Sequence, residues 1–238
     1  MSTVEAAQRL AVSPRRVRVL WHEGVLSGQL AANRLLLDRA RVLDVAEQDR
    51  SSTRPLSLRN AWSLLMLLAG ERAPWASPSE VSRLRTLAFT REEAALAALV
   101  RARAKVWRFD GVASAGKYVL DDNVTVPAGA TLAHQWTDLV VDGLTEVYAS
   151  SVDALKLVDR IHLWPAPQGS IIIHSVPEEV SAVLSGRIEM PSTVVAVDLL
   201  ESGDPRSRRS GEMLWAHVVQ RWRDTAEPMR LRRLGDAR

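Results

Sequence analysis

Three arginines, Arg15, Arg16 and Arg18, follow the pair Ser13-Pro14 near the start of the chain. A guanidinium is a planar fork of donors that matches guanine O6 and N7, or two phosphate oxygens, bidentately. The chemistry open to this cluster is recognition of a polyanion. Two other stretches hold residue types suited to catalysis. Gly111-Val112-Ala113-Ser114-Ala115-Gly116-Lys117-Tyr118 follows the phosphate-loop spacing G-x-x-x-x-G-K, and Val194–Val197 with Asp198 supplies an apolar strand and an acid downstream. Tyr118, however, stands where the magnesium-binding Ser or Thr belongs, and helix formers stop at Asp121-Asp122-Asn123. This stretch therefore reads as a glycine-punctuated loop and a short helix.

Asp198, Glu201 and Asp204 form the other stretch, at a spacing a nuclease can use to hold magnesium. No lysine-bearing nuclease motif accompanies them, and Asp204-Pro205 before a helical run reads as a cap. The five histidines, His22, His134, His162, His174 and His217, show no paired metal-ligand spacing. No Gly-x-Ser-x-Gly elbow is present, and the absence of cysteine excludes thiolate chemistry and disulfides. The expectation is a protein that is not an enzyme, with no cofactor and no metal.

The arginines need a scaffold, and the flanking residues describe one. Thr3 to Leu10 has helical apolar spacing through Val4, Ala7 and Leu10, and Ala11-Val12 makes a turn. Ser13 caps a second helix with Pro14 at its first position, and Gly24 ends it after about His22. Val25 to Leu37 reads as two short strands around a turn near Ala32-Asn33, and Asp38 caps a third helix to about Asp49. In such a frame Arg15, Arg16 and Arg18 divide between base edges and phosphates. Ser13 at the helix N-terminus, Gln29 entering the hairpin, and Asn33 and Arg34 at its tip complete the DNA-contacting set.

This order of elements resembles the excisionase/MerR-type winged helix-turn-helix. Thr3, Glu5, Ala6, Ala7, Leu10, Val12, Ser13, Val17, Leu20, Gly24 and Leu26 fit the family pattern in register, over about a fifth of the chain. The wing departs from it, with Asn33-Arg34 where the family carries a Gly and further basic residues. What the resemblance implies is a module that binds double-stranded DNA.

Beyond a polar, basic linker, Arg50 to Pro55, the sequence predicts helices over Leu56–Ala69 and Pro78–Leu87. A Thr90–Glu93 capping box opens a further helix to about Ala104. Strands are expected at Lys105–Asp110, Val124–Val126, Leu139–Val141, Glu146–Ala149, Ile171–His174 and Val194–Val197. Helices are expected at Ser114–Leu120, Val152–Asp159, Pro177–Leu184 and Pro205–Asp224. The basic tail from Thr225 to Arg238 is expected to fray.

The fold class is thus α/β or α+β, in four parts: a winged helix-turn-helix (1–50), a basic helical segment (55–104), an acidic α/β domain (105–224) for a partner or effector, and the tail (225–238). Charge follows this division. Residues 1–108 carry a net +8 and residues 109–200 a net −8, within an overall +3. Because residues 1–49 alone carry only +1, DNA binding calls for a homodimer or for help from the basic segment. Of the eight tryptophans, Trp62, Trp107 and Trp215 stand in apolar contexts that suggest the core, while Trp75 and Trp164 lie beside prolines. No run approaches 18 apolar residues and no leader-like segment opens the chain, so a cytoplasmic protein with no membrane partner is expected.

A second resemblance lies in Arg54 to Glu71 and Val195 to Arg209. Both segments are similar to actinobacterial helix-turn-helix proteins of the AbiEi type, the antitoxin halves of type IV toxin–antitoxin pairs. It implies a repressor that autoregulates its own operon, with a toxin docking on the acidic domain. The alternatives are an excisionase-like architectural factor and, last, a DNA-directed nuclease or NTPase.

Overall fold

The computed structural model describes residues 1–31, 34–50, 54–187 and 190–235. In chain order its elements begin α1 (Thr3–Arg9), α2 (Pro14–His22), β1 (Gly28–Ala31), β2 (Arg34–Leu37) and α3 (Arg39–Arg50). There follow α4 (Leu58–Leu68), α5 (Pro78–Thr90), α6 (Glu93–Val100), β3 (Lys105–Asp110), α7 (Ala115–Leu120), β4 (Val126–Pro127) and α8 (Gly129–Trp136). The last are β5 (Thr145–Ser150), α9 (Ser151–Arg160), β6 (Trp164–Pro165), β7 (Ile171–Val176), α10 (Glu178–Leu184), α11 (Ser192–Leu200) and α12 (Pro205–Gly235). The fold is mixed α and β, and its contacts group into two units.

The first unit takes Met1–Thr53, Lys105–Pro127 and Asp142–Ser181. At its start, Ser2 and Glu5 form a reciprocal capping box on α1. Ser13 Oγ accepts the Arg16 N–H at 3.2 Å to cap α2. Gly24, at φ +72°, ends α2 in the left-handed region that a side chain disfavours. Strands β1 and β2 pair antiparallel from Gly28↔Leu37 to Ala31↔Arg34. The Leu37 N–H donates to the Met1 carbonyl at 2.8 Å, so residues 1–2 line the other edge of β2. Ala6, Ala7, Leu10, Val17, Leu26, Leu35, Leu37, Val42 and Ala46 close a core of their own beneath these elements.

The same unit holds a five-stranded mixed sheet in the order β4-β5-β7-β3-β6. Strands β5 and β7 run parallel, and β3 lies antiparallel to β7. Central β7 is buried at every position, its apolar start Ile171–Ile173 followed by the buried polar residues His174 and Ser175. Phe109, Val147, Ala149, Ile171 and Ile173 face Ala115 and Val119 of α7 and Ala154 and Leu157 of α9. By strand alternation, Glu146, Tyr148 and His174 share the opposite face.

The second unit takes Arg54–Ala104, Ala128–Val141 and Ala182–Arg238 and is helical. Helix α4 buries Trp62, Leu64, Leu65 and Met66, and the Trp62 indole N–H donates to the Arg103 carbonyl at 2.8 Å. Thr193 of α11 bonds the Leu65 carbonyl at 3.1 Å, and the Trp215 indole N–H of α12 bonds that of Glu93 at 2.8 Å. Helices α11 and α12 approach so closely at Gly211 that a Cβ there would stand 2.6 Å from Leu200 N. Only glycine fits.

Several expectations are corrected. Val194–Val197 is part of helix α11, not a strand: every residue from Thr193 to Leu199 is buried, so no polar face marks the helical period. Leu139–Val141 lies outside any strand, and α8 replaces what the sequence left unassigned. Thr90 ends α5 instead of capping α6, whose cap position, Glu92, makes no side-chain bond, and α6 stops at Val100. Past Asp224, α12 continues to Gly235 where fraying was expected. Trp107 is not a core residue but is 37% exposed, with Lys105 Nζ 3.9 Å from its ring centroid.

Candidate nucleic-acid interface

Helix α2 sorts its residues by the 100° step of an α-helix. Val17 is fully buried, and Leu20 and Trp21 beside it pack on the same core. Arg15 lies nearly opposite Val17; Arg18 and His22 flank it on the outward surface, and all three are exposed. Arg16 projects from the side of the helix, also exposed, with its Nη1 3.6 Å from Glu23 Oε1. That pairing between half-exposed partners was not read from the sequence, although the seven-residue separation places both on one flank.

The hairpin presents a second row. Residues directly opposite across an antiparallel pair share a face, so Gln29 and Leu36 point the same way, as does Arg34 two residues before Leu36. Gln29, Arg34 and Leu36 are exposed, and Leu36 is an apolar neighbour that the sequence did not single out. The ribbon is tied to α2 by the Trp21 indole N–H, which donates to the Gly28 carbonyl at 3.2 Å. Ser13 is exposed at the N-terminus of α2, its hydroxyl already accepting from the backbone. Asn33 lies outside the described residues. Arg41, by contrast, is buried, with its Nε–H bonded to the Val25 carbonyl at 2.8 Å; it holds the scaffold together.

The stretches with catalytic spacing resolve differently. Gly111 and Gly116 sit where neighbours leave no space: a Cβ on Gly111 would meet Ala115 Cβ at 2.5 Å, and one on Gly116 would meet Thr145 Oγ1 at 2.6 Å. Helix α7 then runs only six residues. Close packing accounts for both glycines. Asp198 is buried and accepts from Arg103 Nη2 at 2.6 Å and Nε at 3.2 Å, while Glu201 accepts from Arg103 Nη1 at 2.9 Å. Asp204 caps α12, accepting the Ser207 N–H and hydroxyl, each at 2.7 Å. Burial raises the Asp204 carboxyl, but bonds from Ser207 and the Arg206 backbone outweigh it and hold the group below its ordinary value. Each of the three acids thus has a structural task.

One buried polar group escaped sequence reasoning. His174 Nε2 lies 2.7 Å from Glu146 Oε1, with the Tyr148 ring stacked on the imidazole at 4.5 Å between centroids. The pairing depends on β5 and β7 being parallel neighbours, which no local pattern announces. Nearby Arg108 has its pKa lowered by burial, partly offset by the Glu146 charge. No family model, curated protein or solved structure matches this chain.

Proposed function

We propose that residues 1–50 form a winged helix-turn-helix that grips double-stranded DNA, and that the chain is a sequence-specific transcriptional regulator. The observation that carries this proposal is the outward row on α2. Arg15 and Arg18 stand free of the core on the helix following a tight turn, with Gln29 and Arg34 exposed on the ribbon bonded to that helix. A recognition helix reads the major groove through the exposed side chains of its first turns, and the ribbon tracks the flanking phosphates. Arg15 and Arg18 are assigned to base edges, and Arg16, Arg34, Gln29 and Ser13 to phosphates.

The finer proposal is a repressor that acts as the autoregulating antitoxin of a type IV, AbiEi-like pair. Supporting it, α4, which lies in the first resembling segment, is bonded through Leu65 to Thr193 of α11, the helix that runs on into the second segment, within one unit. A basic toxin would dock on the acidic 109–200 stretch. Footprinting on the DNA upstream of the protein's own gene tests the proposal. A short repeated site, protected by the wild type and lost in Arg15→Ala/Arg18→Ala, is expected; protection confined to a recombination site would favour the architectural alternative.

A further inference from the structure

The second unit contains an open groove of about 490 Å³ lined by none of the residues proposed to contact DNA. One wall is a stripe of α12: Arg206, Arg209, Ser210, Met213, Leu214 and His217. The other is the corner where α8 ends, Trp136 to Leu139, pinned by Thr137, whose hydroxyl donates to the Ala133 carbonyl at 2.9 Å and accepts the Leu139 N–H at 3.1 Å. Its size falls within the range of about 300–1,000 Å³ typical of small-molecule sites.

The walls bring cationic, apolar and acidic side chains together. The buried and half-buried arginines of the unit include several that are committed, Arg103 to Asp198 and Glu201, Arg187 to Glu71, and Arg223 to the Ala88 carbonyl, whereas Arg206 and Arg209 are exposed. Arg206 and Arg209 form no side-chain hydrogen bond and no ion pair within 4.0 Å among the described residues, although the Arg206 charge helps lower the Asp204 pKa, and both line the groove. Trp136, 38% exposed, and Met213, 61% exposed, give it large apolar surfaces that water covers poorly. Asp138 supplies one carboxylate, an acceptor for N–H donors.

We propose that this groove binds a purine mononucleotide, with Arg206 and Arg209 receiving the phosphate, Trp136 stacking on the base, and Asp138 accepting from the base N–H groups. Two guanidiniums one helical turn apart suit a doubly charged phosphate. An aromatic face and an acceptor beside them suit a flat heterocycle better than a simple anion. The inference stands apart from the DNA proposal, because binding is measured without DNA and either can fail alone.

Calorimetric titration of the full chain with AMP, GMP, guanosine and inorganic phosphate tests it. At least one nucleotide is expected to bind, with guanosine and phosphate each weaker by about tenfold or more. Arg206→Ala/Arg209→Ala and Trp136→Ala should each lose about tenfold, while Trp136→Phe keeps most of the affinity. All substituted positions are exposed, so thermal melting should match the wild type. No heat with either nucleotide up to roughly 1 mM would overturn the proposal. So would equal binding of inorganic phosphate alone, or undiminished binding in the folded double-arginine variant.

Discussion

Replacing Asp198 by Asn distinguishes a structural acid from a catalytic one. The Asp198 side chain is fully buried, Arg103 is 1% exposed, and the guanidinium places two N–H groups on one Asp198 oxygen at 2.6 and 3.2 Å. Asparagine keeps the volume and an acceptor but removes the charge, leaving the buried cation with Glu201, which is 35% exposed. Removing one partner of a buried pair costs about 3–5 kcal/mol, chiefly from the uncompensated charge. At about 2–4 °C per kcal/mol for a chain of this size, the midpoint should fall by roughly 6–20 °C. Urea denaturation gives the free energy directly. Substituting both members, Arg103→Met with Asp198→Leu, should recover most of the loss, because an apolar pair of similar volume removes the desolvation cost. A folded Asp198→Asn protein of unchanged stability that had lost a magnesium-dependent DNA cleavage would refute the structural assignment.

Three further outcomes follow from local geometry. Glu23→Gln, by releasing Arg16 from a half-exposed ion pair and removing a negative charge from the DNA-facing side, should strengthen DNA binding by about two- to fivefold in anisotropy titrations, and weaker binding would count against Arg16 as a phosphate contact. Gly111→Ala should destabilise by about 1–3 kcal/mol in denaturation, because its Cβ enters space held by Ala115 and Leu163, whereas Lys117→Ala should change neither stability nor ATP turnover. Asp204→Ala should cost about 1 kcal/mol as a lost N-cap. Since the folded carboxyl lies below its ordinary 3.8, the contribution it measures is present above that pH and is lost as pH falls through the folded value.

The N-terminal elements were legible because short-range chemistry marks them: Ser13-Pro14 starts α2, Gly24 stops it, and Val17 with Leu20 fixes its inward face. Exposure of Arg15, Arg16 and Arg18 followed from that phase. Strands β3, β5 and β7 were legible from their apolar and β-branched runs. The run in α11 misled because Val194, Val195 and Val197 favour strands locally, and packing against α12 and α4 overrides that preference. What no window of sequence contains is separation. Arg103 meets Asp198 across 95 positions, and His174 meets Glu146 across 28. Asp198 looked available until its distant partner was in place.

The most direct measurement of the central claim is the salt dependence of binding to a duplex from upstream of the protein's own gene. Each neutralised phosphate steepens the slope of log K against log salt by about 0.9. With Arg16 and Arg34 as phosphate contacts from each module, a dimer should give a slope of roughly −3 or steeper. Arg34→Ala should flatten that slope, and Arg15→Ala/Arg18→Ala should abolish the preference over an unrelated duplex. No binding at low salt, or binding whose slope and sequence preference survive both substitutions, would contradict the assignment of this surface to DNA.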